Sequence, residues 1–220
     1  MIVGLSACAS EEVAYFEQPV ETLYNNAMDL MLSNNFNQAA TAFDDVERQH
    51  PYSIWATKAQ IMTAYSYYQS NQYDEAILAA KRFINLHPGH RDVDYAYYLV
   101  AISYYEQISD IGRDQKMTEL AFDSLDEVVR RFPDSDYARD AILKINLTRD
   151  HLAGKEMEIG RYYQNSGQHI AAINRFRIVI DKYHTNSHVP AACLPLTDHH
   201  PALVVTGAAT ALVAVLGHHF

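Results

Sequence analysis

Leu5-Ser6-Ala7-Cys8 places a thiol directly after one apolar and two small residues. That is the pattern of a bacterial lipobox, and the chemistry requires the cysteine. Its sulfur takes a diacylglyceryl group, and cleavage before it leaves a lipidated N-terminus. Several acyl chains together hold a protein at a membrane without a spanning helix. Ala9 follows the cysteine where an aspartate would favour inner-membrane retention, so the expected destination is the outer membrane. Seven residues precede Cys8 and none is basic, whereas an export signal carries a charged start and a longer apolar core. Residues 1–7 therefore read as part of a signal that extends upstream of Met1, and residues 8–19, with Ser10-Glu11-Glu12, as a tether.

Other reactive constellations are missing from the sequence. There is no glycine-rich phosphate loop, no G-x-S-x-G, no H-E-x-x-H and no C-x-x-C. Acidic residues are scattered without a recurring pair suited to acid–base work, so no enzyme and no cofactor beyond the acyl chains on Cys8 are expected. Cys8 and Cys193 are too few for a disulfide framework. The net charge of −10 argues against nucleic-acid partners, whose binding depends on cationic side chains. The chain has 16 tyrosines and one tryptophan. Tyrosine offers contact area with a polar tip, which suits a recognition surface.

Such side chains need a scaffold, and the scaffold is legible as a repeat. Ala27, Ala39 and Pro51 are followed by Ala64, Ala76 and Pro88, each step being twelve residues. A third set is Ala101, Ala121, Leu125, Val128 and Pro133, and a fourth is Gly160, Ala172, Phe176 and Val179, with His184 at the proline position. Small residues let two antiparallel helices approach, and larger apolar residues three to seven positions on share the same face by 3.6-residue periodicity. Proline then ends the second helix. The turns read Ser33-Asn34-Asn35, Ser70-Asn71-Gln72 and Asn165-Ser166-Gly167, all turn formers. His50, His87 and His184 fall at helix ends, where they suit the C-terminal dipole. The fold expected is all-α: a tetratricopeptide-repeat (TPR) superhelical solenoid of antiparallel helix pairs. Residues 110–117 read as a longer loop in repeat three, and residues 136–151 as an extension of the first helix of repeat four.

In a TPR superhelix the first helix of each pair lines the concave face. Positions two, five, nine and twelve of that helix then give Glu21, Tyr24, Met28 and Met31, then Lys58, Ile61, Tyr65 and Tyr68, then Tyr95, Tyr98, Ile102 and Tyr105. Tyrosine and methionine suit an adaptable groove for an extended peptide.

The lipobox, the repeats ending in His-Pro, the inserted loop, and the strings DHLAGKEMEIGRYY (residues 150–163) and AAINRF (residues 171–176) together resemble the BamD family. HPYSIWATKAQIMTAY and RDVDYAYYLVAISYYEQI are similar to its alphaproteobacterial members. The resemblance runs from Cys8 to Ala192. It implies a lipoprotein on the periplasmic face of the outer membrane. This would be a non-catalytic subunit of the β-barrel assembly machinery, with BamA, other assembly lipoproteins and unfolded outer-membrane proteins as partners. It further implies that repeats one to three (residues 20–134) receive the C-terminal sorting signal of those substrates, with Arg82 as a second family arginine. Repeat four (residues 135–190) would contact BamA through Arg175, with Tyr162 nearby. The alternative is another periplasmic TPR adaptor lipoprotein, such as a cell-envelope or division coordinator, or a self-associating scaffold.

Residues 191–220 depart from the pattern, with Pro195 and Pro201 and no helical polar face in CLPLTDHHPALVVTGAAT, after which ALVAVLGHHF resembles the family again near its last helix. They read as an irregular tail in place of repeat five, or as a helix packed loosely on repeat four, with Cys193 exposed, and as the product of two compensating frameshifts. The apolar run 202–217 is shorter than the roughly twenty residues of a membrane span. His199, His200, His218, His219 and Cys193 lack the spacing of a metal site.

Overall fold

The structure, a computed structural model, describes residues 18–183 and 188–193. Cys8, His184 and the tail beyond residue 193, with its four histidines and apolar run, lie outside the described residues. Within them the chain is helical and has no strand: α1 (Val20–Leu32), α2 (Phe36–Gln49), α3 (Ile54–Gln69), α4 (Tyr73–Leu86), α5 (Val93–Glu106), α6 (Lys116–Arg131), α7 (Asp136–Asn165) and α8 (His169–Lys182). Each helix packs on the next, and α1 touches α3, α3 touches α5, and α5 touches α7. The odd-numbered helices are therefore one layer and the even-numbered another. The layer whose members touch is the tighter, inner layer of a TPR solenoid.

The repeat positions form the core. Ala27 packs with Ala39, Phe43 and Val46, Ala64 with Ala80, and Ala101 with Leu125 and Val128. In repeat four Phe176 lies against Gly160, and a Cβ there would sit 2.5 Å from the ring. The first helix of repeats one, two and four ends in one shared turn. Asn34, Asn71 and Gly167 adopt φ of 61°, 60° and 73°, the left-handed region that Asn and Gly tolerate best. The fourth turn is thus Ser166-Gly167-Gln168, one residue later than the sequence suggested. The second helices end alike at His50, His87, Phe132 and Tyr183, with ψ between 37° and 60°. A following proline demands a non-helical residue at the first three; Tyr183 adopts the same turn before His184.

Repeat three breaks the pattern. Its helices are joined by residues 107–115, and Lys116 and Met117, expected in the loop, open α6 instead. The loop is tied down. The Gln115 amide donates to the Ile111 and Arg113 carbonyls, its oxygen meets His151 Nδ1 at 3.0 Å, and Lys155 donates to the Gly112 carbonyl at 3.0 Å. Ile111 rests on Gly154, where an added Cβ would lie 3.1 Å from its Cδ1.

The 30-residue α7 is about 45 Å long at 1.5 Å per residue. Its first half packs through Ala138, Ala141 and Ile145, and its second through Ala153, Met157 and Gly160. Residues 189–193 are helical again. Ala192 joins the cluster of Ala153, Met157, Phe176 and Val179, and Cys193 is buried. Of the two expectations for this segment, residues 189–193 fit the helix on repeat four, and the burial of Cys193 corrects the expectation of an exposed thiol.

Candidate functional site on the concave face

Helices α3, α5 and the first half of α7 stand side by side in the inner layer, and their tyrosines form a row. Tyr65 and Tyr68 are half-buried against the cluster of Ala64, Leu99 and Ile102, as are Tyr95 and Tyr98. Tyr137 of α7 stacks on Tyr98, centroids 5.1 Å apart at 27°, and lies 5.2 Å from Tyr95. The Tyr98 hydroxyl donates to Asp140, which also accepts from Lys144 at 2.7 Å. Lys144 in turn lies 5.7 Å from the Tyr105 ring centroid. A ring–carboxylate–ammonium–ring chain thus ties α5 to α7.

The groups are held in defined protonation states. Burial, then the bond to Asp140, pushes the Tyr98 phenol well above its usual value, so it remains a donor. Burial acts to raise the Asp140 carboxyl, but hydrogen bonds from Lys144 and Tyr98 and the Lys144 charge outweigh it and hold the group below the ordinary 3.8. A carboxylate whose folded value is depressed contributes stability above the unfolded value and loses it as pH falls through the folded one. The link between α5 and α7 is therefore expected to be constant between about pH 5 and 8 and to open below about pH 4. The Tyr98 and Tyr137 ring resonances, followed by NMR, report it; a transition near neutral pH would contradict the assignment.

Beyond Tyr105 the row ends in a recess of about 450 Å³, bounded by Tyr105, Glu106, Ile108, Leu147, Thr148 and His151. Leu143 and Leu147 of α7 are exposed at 65% and 57%. These residues, with Tyr137, Asp140 and Lys144, are absent from the sequence-based set. Repeat four was phased from Gly160 at the end of α7. A second phase exists at its start: Ser135 caps α7 as Ser53 caps α3, each accepting from the backbone N–H two residues on. Counting from that cap puts Asp140, Leu143 and Leu147 at the inner positions, and the Ser-x-Tyr of residues 135–137 was the available signal.

The other expected groove residues are placed differently. Tyr24 packs on Phe43 and Trp55 at 5.5 and 4.8 Å, and Met28 is partly buried in the same cluster, so both are half-buried on α1 as the row tyrosines are on α3 and α5. Ile61 and Ile102 are core residues at 7% exposure. Arg82 lies in α4 and pairs with Glu47 of α2, which also accepts from Gln60. It belongs to the outer layer, apart from the tyrosines, because α4 is the second helix of its pair. Arg175 of α8 donates to Glu156 at 3.0 Å and is half-exposed, whereas Tyr162, 67% exposed, contacts Tyr163. The two share no partner among the described residues.

No described helix is long and apolar enough to cross a membrane, and no His, Cys, Asp and Glu cluster among the described residues could hold a metal. The chain matches the outer membrane lipoprotein (YfiO) family over residues 16–212, which extends past Ala192, where the sequence reading ended the resemblance. It is 48% identical to the outer membrane protein assembly factor BamD of Caulobacter vibrioides, over 99% of this chain and 72% of that protein. It is 43% identical to BamD of Rickettsia prowazekii, over 100% of this chain and 89% of that one. Among solved structures, a TPR protein of Thermus thermophilus aligns with 81% of this chain and 99% of its own at 15% identity and a TM-score of 0.45, too loose to add to the helix packing above. On the family match and these two similarities, which run the length of this chain, it belongs to the BamD family of outer membrane lipoproteins.

Proposed function

We propose that this chain is a non-catalytic scaffold of the outer-membrane β-barrel assembly complex. It binds the C-terminal sorting signal of unfolded outer-membrane proteins along the tyrosine row and BamA through repeat four, and so helps those substrates fold and insert. It is held at the periplasmic face of the outer membrane by acyl chains on Cys8. The observation that carries the reading is the row Tyr65, Tyr68, Tyr95, Tyr98 and Tyr137 on the inner layer, ending in the recess beside Tyr105. An inner layer of half-buried rings gives an extended chain flat apolar contact and hydroxyls for its backbone, without requiring one side-chain sequence. The relatives' names as assembly factors support the same reading.

Three measurements test it. Pull-down from detergent-solubilised outer membranes is expected to recover the barrel-assembly subunits. Recovery of peptidoglycan enzymes instead would favour the envelope-coordinator alternative. Peptide affinity, measured by fluorescence anisotropy with a peptide from an outer-membrane protein C-terminus, is expected to fall about tenfold in Tyr65→Ala/Tyr68→Ala, the loss of two ring contacts. Unchanged affinity with unchanged helicity would remove the row from the site. Mass spectrometry of the native protein is expected to show a lipidated Cys8; an unmodified thiol would sink the anchor.

A further inference from the structure

Carboxylates flank the tyrosine row on both sides. Asp92 and Asp94 stand at the start of α5, Glu106 at its end, and Asp136 and Asp140 on the facing turns of α7. Three have cationic partners: Asp92 with Arg91 at 3.2 Å, Asp136 with Arg139, and Asp140 with Lys144 at 2.7 Å. Asp94 and Glu106 have no ion pair among the described residues. Asp94 accepts from the Ser135 hydroxyl at 2.9 Å and from the Tyr95 backbone at 2.8 Å, which seats it between Tyr95 and the start of α7. Glu106 is exposed and lines the terminal recess beside Tyr105. Twelve residues separate them on α5, about 18 Å along the axis. Each is a carboxylate beside tyrosine rings, an arrangement that attracts an ammonium or guanidinium through the carboxylate charge and the negative ring face together.

We infer that the groove selects extended segments carrying lysine or arginine among their aromatic and apolar residues, with Asp94 and Glu106 as two separate seats for the cationic side chains. This rests on the peptide-groove reading above and adds a preference to it. Charge complementarity carries it: the row has five flanking carboxylates against four cations, of which Arg91, Arg139 and Lys144 pair with carboxylates and Lys58 lies over the Trp55 ring. A neutral segment still gains the ring contacts and the recess but leaves both carboxylates unpaired. An acidic segment meets like charge at both ends. Because surface charges are screened by salt, the preference belongs to low and physiological ionic strength.

The test uses the full chain and three labelled peptides that share one aromatic and apolar pattern and differ only in having Lys, Gln or Glu at the intervening polar positions. Fluorescence anisotropy is expected to rank them Lys, Gln, Glu, with the Lys peptide about five- to tenfold tighter than Gln. Asp94→Asn and Glu106→Gln should each reduce that ratio about two- to threefold and together abolish it. Each should leave the helical circular dichroism unchanged and weaken the Lys peptide more than the Gln peptide, and 0.5 M salt should compress the ranking. If all three peptides bind equally, or the ranking survives in the double variant, the cation preference is overturned while the groove reading stands. If none binds, the groove reading falls and the preference with it.

Discussion

Gly160→Ala is expected to destabilise repeat four by about 1–2 kcal/mol, although alanine is the better helix former. Two effects of similar size oppose each other. Replacing a helix-interior glycine with alanine gains about 1 kcal/mol from the restricted unfolded backbone. Against that, the new methyl would lie 2.5, 2.8 and 3.0 Å from three ring carbons of Phe176. That ring is 1% exposed and enclosed by Ala153, Met157, Ala172 and Val179. A buried ring cannot swing away as the end of a flexible side chain can, so α7 and α8 must part or the ring must leave its rotamer. Overpacking of that kind costs about 1–3 kcal/mol, and it outweighs the propensity gain. Repeat one keeps Ala27 beside Phe43, so a phenylalanine does not by itself demand glycine; the closeness of α7 to α8 does. Thermal or urea unfolding checks the sign. Phe176→Leu in the Gly160→Ala background should recover part of the loss, giving a non-additive cycle. A stabilised Gly160→Ala would show that the two helices have room to spare.

The second large effect concerns Arg175. Charge reversal to glutamate is expected to reduce co-purification with BamA at least tenfold, while global stability changes by about 1 kcal/mol or less. Arg175 is 38% exposed on its side chain and donates to Glu156, itself 21% exposed. Its guanidinium has further N–H donors free to pair with a partner carboxylate. Reversal removes those donors and sets two carboxylates side by side, so local repulsion could mimic a lost interface. The double variant Arg175→Glu/Glu156→Arg separates the two, because it restores an internal pair of opposite sign and lets α7 and α8 close again. If Arg175 acts on the partner, the double variant remains deficient in binding. Full recovery would instead assign Arg175 to holding α8 on α7.

The candidate site was only partly legible for a physical reason visible in α7. Repeats one and two each begin the first helix within three residues of a proline and end it at the shared turn, so either landmark gives the same phase. In α7 the landmarks disagree, because the helix runs 30 residues from the Ser135 cap to the turn at Gly167. Reading from the turn finds Gly160 and the contact with α8. Only reading from the cap finds Tyr137, Asp140, Lys144, Leu143 and Leu147, which complete the groove. Arg82 stands apart for a different reason: it was carried by resemblance, while its place between Ala76 and Pro88 already puts it on the second helix of repeat two, in the outer layer.

The sequence by itself determined the repeat, its small-residue contacts, the turns at Asn34 and Asn71, the helix ends before proline and the inner-layer tyrosines. These are local matters of steric size, backbone preference and periodicity, and each is decided within one helix pair. The tertiary structure alone decided which tyrosines meet. Tyr98 reaches Tyr137 and Asp140 across a gap of about forty residues, and the loop of residues 107–115 is seated by Gly154, His151 and Lys155 of a helix that follows it. Such contacts depend on how far successive pairs rotate when they stack. That rotation is the sum of many small packing choices, and no single spacing in the chain records it.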